Sequence, residues 1–95
     1  MEIDKIIHEP ARLRVMMILA GLEQADFNFL VTTLSLTRGN LNRHMEKLES
    51  ADYIKVKRSF KGKVRNTSYR LTQKGSKALA QYWENLDAVR RSGQT

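Results

Sequence analysis

The chain has 95 residues, enough for one domain with a modest core, and its 17 Lys and Arg against 10 Asp and Glu give a formal net charge of +7. It has no cysteine, which excludes disulfides, thiolate metal sites and cysteine nucleophiles. No apolar run approaches the roughly 18 residues of a membrane span, and Met1-Glu2-Ile3-Asp4-Lys5 is acidic and unlike a secretion signal, so a cytoplasmic protein with no membrane partner is expected.

Ile3, Ile6 and Ile7 are spaced for a short N-terminal helix over residues 3–8, apolar on one side. Alone, so short a helix is marginal and must pack on something. His8-Glu9-Pro10 breaks the pattern, and Pro10 suits the first turn of a second helix, where its missing N–H costs nothing. Leu13, Met16, Met17 and Ala20 stand at i, i+3, i+4 and i+7, and Val15, Ile18, Leu19 and Leu22 repeat that spacing. A helix apolar on most sides is the central one of its domain, with Arg12 and Arg14 keeping its first turns wet. A loop follows, with one short strand at Ala25-Asp26-Phe27. Asn28 is placed to cap a helix over Phe29 to Leu34, and Ser35-Leu36-Thr37 turns into the next.

The segment from Thr37 to Leu48 organises the rest. As a helix it aligns Leu41, Met45 and Leu48 on one narrow apolar stripe, with Thr37 placed to cap its free N–H groups. The other face carries Arg38, Asn40, Arg43 and Lys47, with Asn42 beside them. Gly39 either lowers the helix's intrinsic stability somewhat or serves a close approach to a phosphate, two readings the sequence leaves open. Beyond it, Tyr53 to Leu71 reads as a hairpin: Ile54 and Val56 alternate with Lys55 and Lys57, and Tyr69 and Leu71 return on the core side. A turn at Lys61-Gly62 pairs Phe60 with Lys63 and Ile54 with Tyr69, and puts Ile54, Val56, Thr67 and Tyr69 on one face; the parity of this register matters more than the turn position. Thr72 then caps a last helix over residues 73–91, with Leu79, Tyr82, Trp83, Leu86 and Val89 along one stripe, and Ser92-Gly93-Gln94-Thr95 is expected to fray.

The charge is focused. Residues 51–71 hold seven basic side chains and one acidic one, whereas residues 1–26 hold three and five. A basic patch confined to a hairpin is the electrostatic footprint of a polyanion binder. Arg and Asn on a helix match base edges in the major groove, so Arg38, Asn40, Asn42 and Arg43 are the base-edge candidates, and Thr37 and Lys47 the phosphate candidates. Lys57, Arg58, Lys61, Lys63 and Arg65 would straddle the backbone or enter the minor groove as a wing spanning residues 57–66. The plainer readings are a solvated helix face and an edge hairpin kept soluble by lysine. The order of helix, helix, basic hairpin and capped helix favours the first reading: an α+β, mostly helical winged helix-turn-helix, one domain over residues 1–95, binding double-stranded DNA. The stripe with Leu79, Tyr82, Trp83, Leu86 and Val89, joined by Ile3, Ile6 and Ile7, is expected to form a two-fold homodimer interface. His8 and His44 have no partners at metal or catalytic spacing, there is no Gly-rich phosphate loop, and Glu46 and Glu49 lie on an exposed helix face, so neither metal, cofactor nor enzymatic chemistry is expected. The alternative is a non-enzymatic winged-helix adaptor for other proteins, since a fold alone does not fix function.

The chain resembles the small stand-alone winged-helix transcriptional regulators related to the MarR and ArsR groups. The resemblance spans roughly residues 5–90 and rests on Ile7-His8-Glu9-Pro10-Ala11-Arg12-Leu13-Arg14, on Ala25-Asp26-Phe27, on Leu36 through Glu49, and on Tyr69-Arg70-Leu71-Thr72-Gln73-Lys74-Gly75. It implies a dimeric transcription factor with Thr37 to Lys47 in the major groove. Related groups often respond to small phenolic ligands or metals. This chain lacks the Cys residues and the His and carboxylate cluster for metal sensing, and no residue set marks a pocket for a small-molecule effector.

Overall fold

A computed structural model describes residues 2–93. In chain order the elements are α1 (Pro10–Gly21), β1 (Ala25–Asp26), α2 (Phe27–Leu34), α3 (Arg38–Ser50), β2 (Ile54–Lys61), β3 (Val64–Leu71) and α4 (Gln73–Ser92). The three strands form one antiparallel sheet in the order β1-β3-β2. This is the α+β winged-helix arrangement, with a third strand closing the root of the hairpin.

Each helix starts on a side-chain acceptor that satisfies an otherwise orphaned N–H. Glu9 takes the Arg12 N–H at 2.9 Å, Asp26 takes Phe29 at 2.8 Å, Thr37 takes Asn40 at 3.1 Å and Thr72 takes Gly75 at 2.9 Å. Glu9 occupies the cap directly before Pro10. One cap departs from expectation. Asp26, not Asn28, caps α2, so the helix begins two residues earlier than the apolar spacing indicated.

Residues 5–7 form a turn, not a helix. The Asp4 carboxylate accepts the N–H groups of Ile6 and Ile7 at 2.8 and 3.2 Å, and the Asp4 carbonyl accepts that of His8. Asp4 thus caps this single turn, which goes no further because Glu9, the residue before Pro10, is extended at φ −154° and ψ 129°. Tyr53 donates its hydroxyl to the other Asp4 oxygen at 2.5 Å, tying this turn to the start of β2.

The core gathers Ile7, Val15, Met16, Leu30, Leu41, Leu48 and Ile54, all essentially sealed from solvent, around Leu19, Leu34, Met45 and Tyr69. Three residues expected between protomers are spent here: Ile7, Leu79 and Tyr82 are buried within the single chain. Tyr82 also shares a 2.8 Å hydrogen bond with His8 Nδ1. Ile3, Ile6 and Leu86 pack half-buried against the core, whereas Trp83 and Val89 stand 41% and 48% exposed. Arg12 is likewise not wet. It is 9% exposed, because its guanidinium donates to the Ile6 and Lys5 carbonyls and to His44 Nδ1.

The hairpin pairs Ile54 with Leu71, Val56 with Tyr69 and Lys61 with Val64. This register is two residues off the expected one, and the even slip preserves parity, so the apolar side still faces the core. The turn is centred on Gly62-Lys63, since Gly62 takes φ +64°, the conformation a two-residue hairpin turn needs at its first central position. Gly75 serves a close approach: a Cβ there would lie 2.1 Å from the Tyr53 carbonyl oxygen. Gly93 closes α4, and the rest of the expected fraying segment, Gln94 and Thr95, lies outside the described residues.

Candidate nucleic-acid interface

α3 is divided cleanly into two faces. Leu41, Met45 and Leu48 are buried, and every polar candidate on the helix is exposed: Thr37, Arg38, Asn40, Asn42, Arg43 and Lys47. Burial of that stripe fixes how the helix lies on the domain, and so fixes which face meets a partner. Ser35 closes α2 in a left-handed conformation, φ 54°, with its N–H donating to the Val31 carbonyl, and so turns the chain toward α3. His44 points inward, taking a hydrogen bond from Arg12 at 3.1 Å, so it locks α3 to α1 and is not part of the exposed face.

Two of the arginines are held in fixed poses. Arg43 Nη2 donates to Asn40 Oδ1 at 2.8 Å, one helical turn away. Arg38 Nη1 donates to Asn28 Oδ1 at 2.8 Å, and its guanidinium carbon lies 4.8 Å from the centre of the Phe27 ring. Asn28 and Phe27 are therefore part of the site, although the sequence suggested only a helix cap and a strand end for them. The local pattern carries no signal for this contact, since it joins the first turns of two helices ten residues apart.

Hairpin alternation sorts the basic wing residues between two faces. Arg58 and Arg65 share the side that carries Thr67 and Tyr69 and turns toward α3, and Arg58 reaches within 4.0 Å of Glu49 at the end of α3. Both partners of that ion pair are exposed, so it orients more than it stabilises. Lys57 and Lys61 sit on the opposite side and line a separate recess of about 450 Å³ with Leu22 and Phe29. Lys63 is in the turn. Past β1, which covers β3 only at Ser68 and Tyr69, the hairpin is two strands thick, and Phe60 and Val64 near its tip are 67% and 69% exposed.

Recognition-helix and wing residues meet in one cleft of about 260 Å³ lined by Phe27, Asn28, Arg38, Asn42, Arg65, Asn66, Thr67 and Tyr69. Arg38 and Asn42 of α3 and Asn28 of α2 share this cleft with Arg65 of the wing, beside Phe27 and Tyr69. Burial pushes the Tyr69 hydroxyl up; the Arg58 charge pulls it down and Glu49 raises it, leaving a net rise that keeps it a neutral donor. The surface is rich in donors and carries positive charge, which suits phosphates and the acceptor edges of bases. Among the described residues no helix is long and apolar enough to cross a membrane.

Known proteins are similar to this chain in sequence or in fold. An uncharacterised protein of Methanocaldococcus jannaschii is 39% identical over 79 residues, covering 82% of this chain and 85% of its own length. A transcriptional regulator homologue protein from Pyrococcus horikoshii OT3 is 27% identical with a TM-score of 0.84, over 95% of this chain and 89% of that one. The B. subtilis protein YodB shares the fold at 15% identity and TM-score 0.79, over 90% of this chain and 84% of its own. Regulators of the PadR, MarR and ArsR families also superpose on it. Residues 11–89 match the family model for a winged helix DNA-binding domain, and the chain belongs to that family, which is one of DNA binders and not of enzymes.

Proposed function

We propose that the protein is a sequence-specific transcriptional regulator that binds double-stranded DNA as a homodimer. In this reading α3 enters the major groove, and the 57–66 hairpin lies against the backbone as the wing. Arg38, Asn40, Asn42 and Arg43 meet base edges, while Thr37 and Lys47 meet phosphates. The observation that carries it is the shared cleft, which brings Arg38 and Asn42 of α3 onto the same surface as Arg65 of the wing. Lys57, Arg58, Lys61 and Lys63 add sequence-independent attraction.

Dimerisation rests on the outer face of α4. Trp83, Leu86 and Val89 flank a shallow apolar recess of about 450 Å³ with Asp87 and Arg90, and Ile3 and Ile6 are half-buried. Aromatic side chains are enriched at such interfaces. A two-fold dimer would set the α3 helices about 34–36 Å apart, one turn of DNA.

Selection of bound duplexes from a random pool tests this reading. The expected product is a motif with two-fold symmetry, and affinity for random duplex should fall with salt at a log–log slope of about −0.9 per neutralised phosphate. A pool that returns no motif, with binding indifferent to salt, would favour the adaptor alternative.

A further inference from the structure

We propose that Asn28 and Phe27, in the first turn of α2, are positioning residues that hold the Arg38 guanidinium ready for a base edge. α2 then helps to choose the DNA sequence without touching a base itself. The inference rests on the DNA-reading role of α3 and goes one layer behind it.

Arg38 is an exposed residue at the start of α3, and a free arginine there would sample many rotamers. It is restrained from two directions. Asn28 Oδ1 accepts one Nη1 hydrogen at 2.8 Å, and the Phe27 ring lies 4.8 Å from the guanidinium carbon. One restraint fixes a nitrogen and the other a face, and together they set the plane of the fork. A guanidinium has five N–H donors, and Asn28 is the one hydrogen-bond acceptor that Arg38 meets among the described residues. The others remain available to the cleft that Arg38 shares with Asn42 and Arg65. Bidentate recognition of a base needs two N–H groups in one plane at a set angle, so a fork with a preset plane loses less freedom on docking. Arg43, by contrast, is restrained among the described residues by Asn40 of its own helix alone.

The backbone of Asn28 belongs to α2, but its side chain is exposed and does not cap the helix, the role taken by Asp26. Asn28→Ala should therefore fold normally, which a melting curve checks. The experiment is a set of affinity titrations on a duplex selected by the wild type and on random duplex. Asn28→Ala should lower the selected-to-random ratio by about 3–10-fold while leaving the salt slope on random duplex unchanged, because no charge is removed. Asn28→Asp keeps the acceptor, so the ratio should stay near wild type, while the added negative charge weakens all duplexes alike. Phe27→Leu keeps apolar bulk without the ring and should lower the ratio by about 2–5-fold. In an Arg38→Ala background, Asn28→Ala should have no further effect on the ratio, since both act through one contact. A wild-type protein that selects a motif while Asn28→Ala selects it equally well overturns this inference alone. Equal losses for Asn28→Ala and Asn28→Asp, or additive losses with Arg38→Ala, overturn it too. A wild type with no sequence preference overturns the DNA-reading role and this inference with it.

Discussion

α3 and the wing carry positive side chains on one surface, but they are built differently. α3 is embedded: its stripe is sealed in the core, Thr37 caps its start, His44 bonds it to α1, and two of its arginines are held by asparagines. The wing is cantilevered. Its root is closed by β1, its tip is two strands thick, and its apolar tip residues face solvent. A rigid helix can hold donors at fixed angles to base edges, whereas a hairpin that flexes can follow a phosphate backbone without reading it. In the proposed reading, specificity and general affinity are therefore separable.

The largest expected effect breaks the comparison on stability. Leu41→Ala, inside the sealed stripe, should cost about 2–5 kcal/mol in urea unfolding. Val64→Ala at the wing tip should stay within about 0.5 kcal/mol. Similar losses for the two would mean that the wing is as integral to the core as α3.

A smaller effect sharpens the comparison on binding. Lys61→Ala should weaken all duplexes to the same extent and make the salt slope shallower by about 0.9. A loss confined to the selected sequence would assign a reading role to the wing.

The smallest concerns how the N-terminal turn is tied to the start of β2. Burial, followed by the Asp4 hydrogen bond and charge, pushes the Tyr53 hydroxyl up to about 12. A group whose value is raised on folding stabilises fully below its unfolded value, near 10, and loses that contribution as pH rises through the folded one. Stability should thus decline between about pH 10 and 12, and Tyr53→Phe should remove that part of the decline while lowering stability modestly at neutral pH. A wild-type and variant pair with parallel alkaline profiles would contradict the linkage.

The features legible in the sequence were those set by near neighbours. The i, i+4, i+7 stripe of α3, the Thr37 and Thr72 caps, the parity of the hairpin and the strand at Ala25-Asp26 all depend on residues within one turn or one pairing of each other. Most of what was not legible depends on partners far along the chain. Arg12 is buried because carbonyls in the preceding turn and His44, 32 residues on, surround it. One miss is local: Ile3, Ile6 and Ile7 have helical spacing, yet the extended Glu9 before Pro10 ends the segment after one turn. Apolar spacing on α4 marks a stripe but not its two destinations, so Leu79 and Tyr82 go to the core while Trp83 and Val89 stay outside. In the site itself the residue types on α3 were readable, and the Asn28 and Phe27 supports behind Arg38 were not.

The most direct test of α3 as the reading element is Arg43→Ala, measured as the ratio of affinities for a selected duplex and random duplex at fixed salt. A fall of about 1–3 kcal/mol in that preference, with random-duplex affinity changed far less, is the expected result. An unchanged ratio would contradict the account and return α3 to the status of an ordinary polar helix.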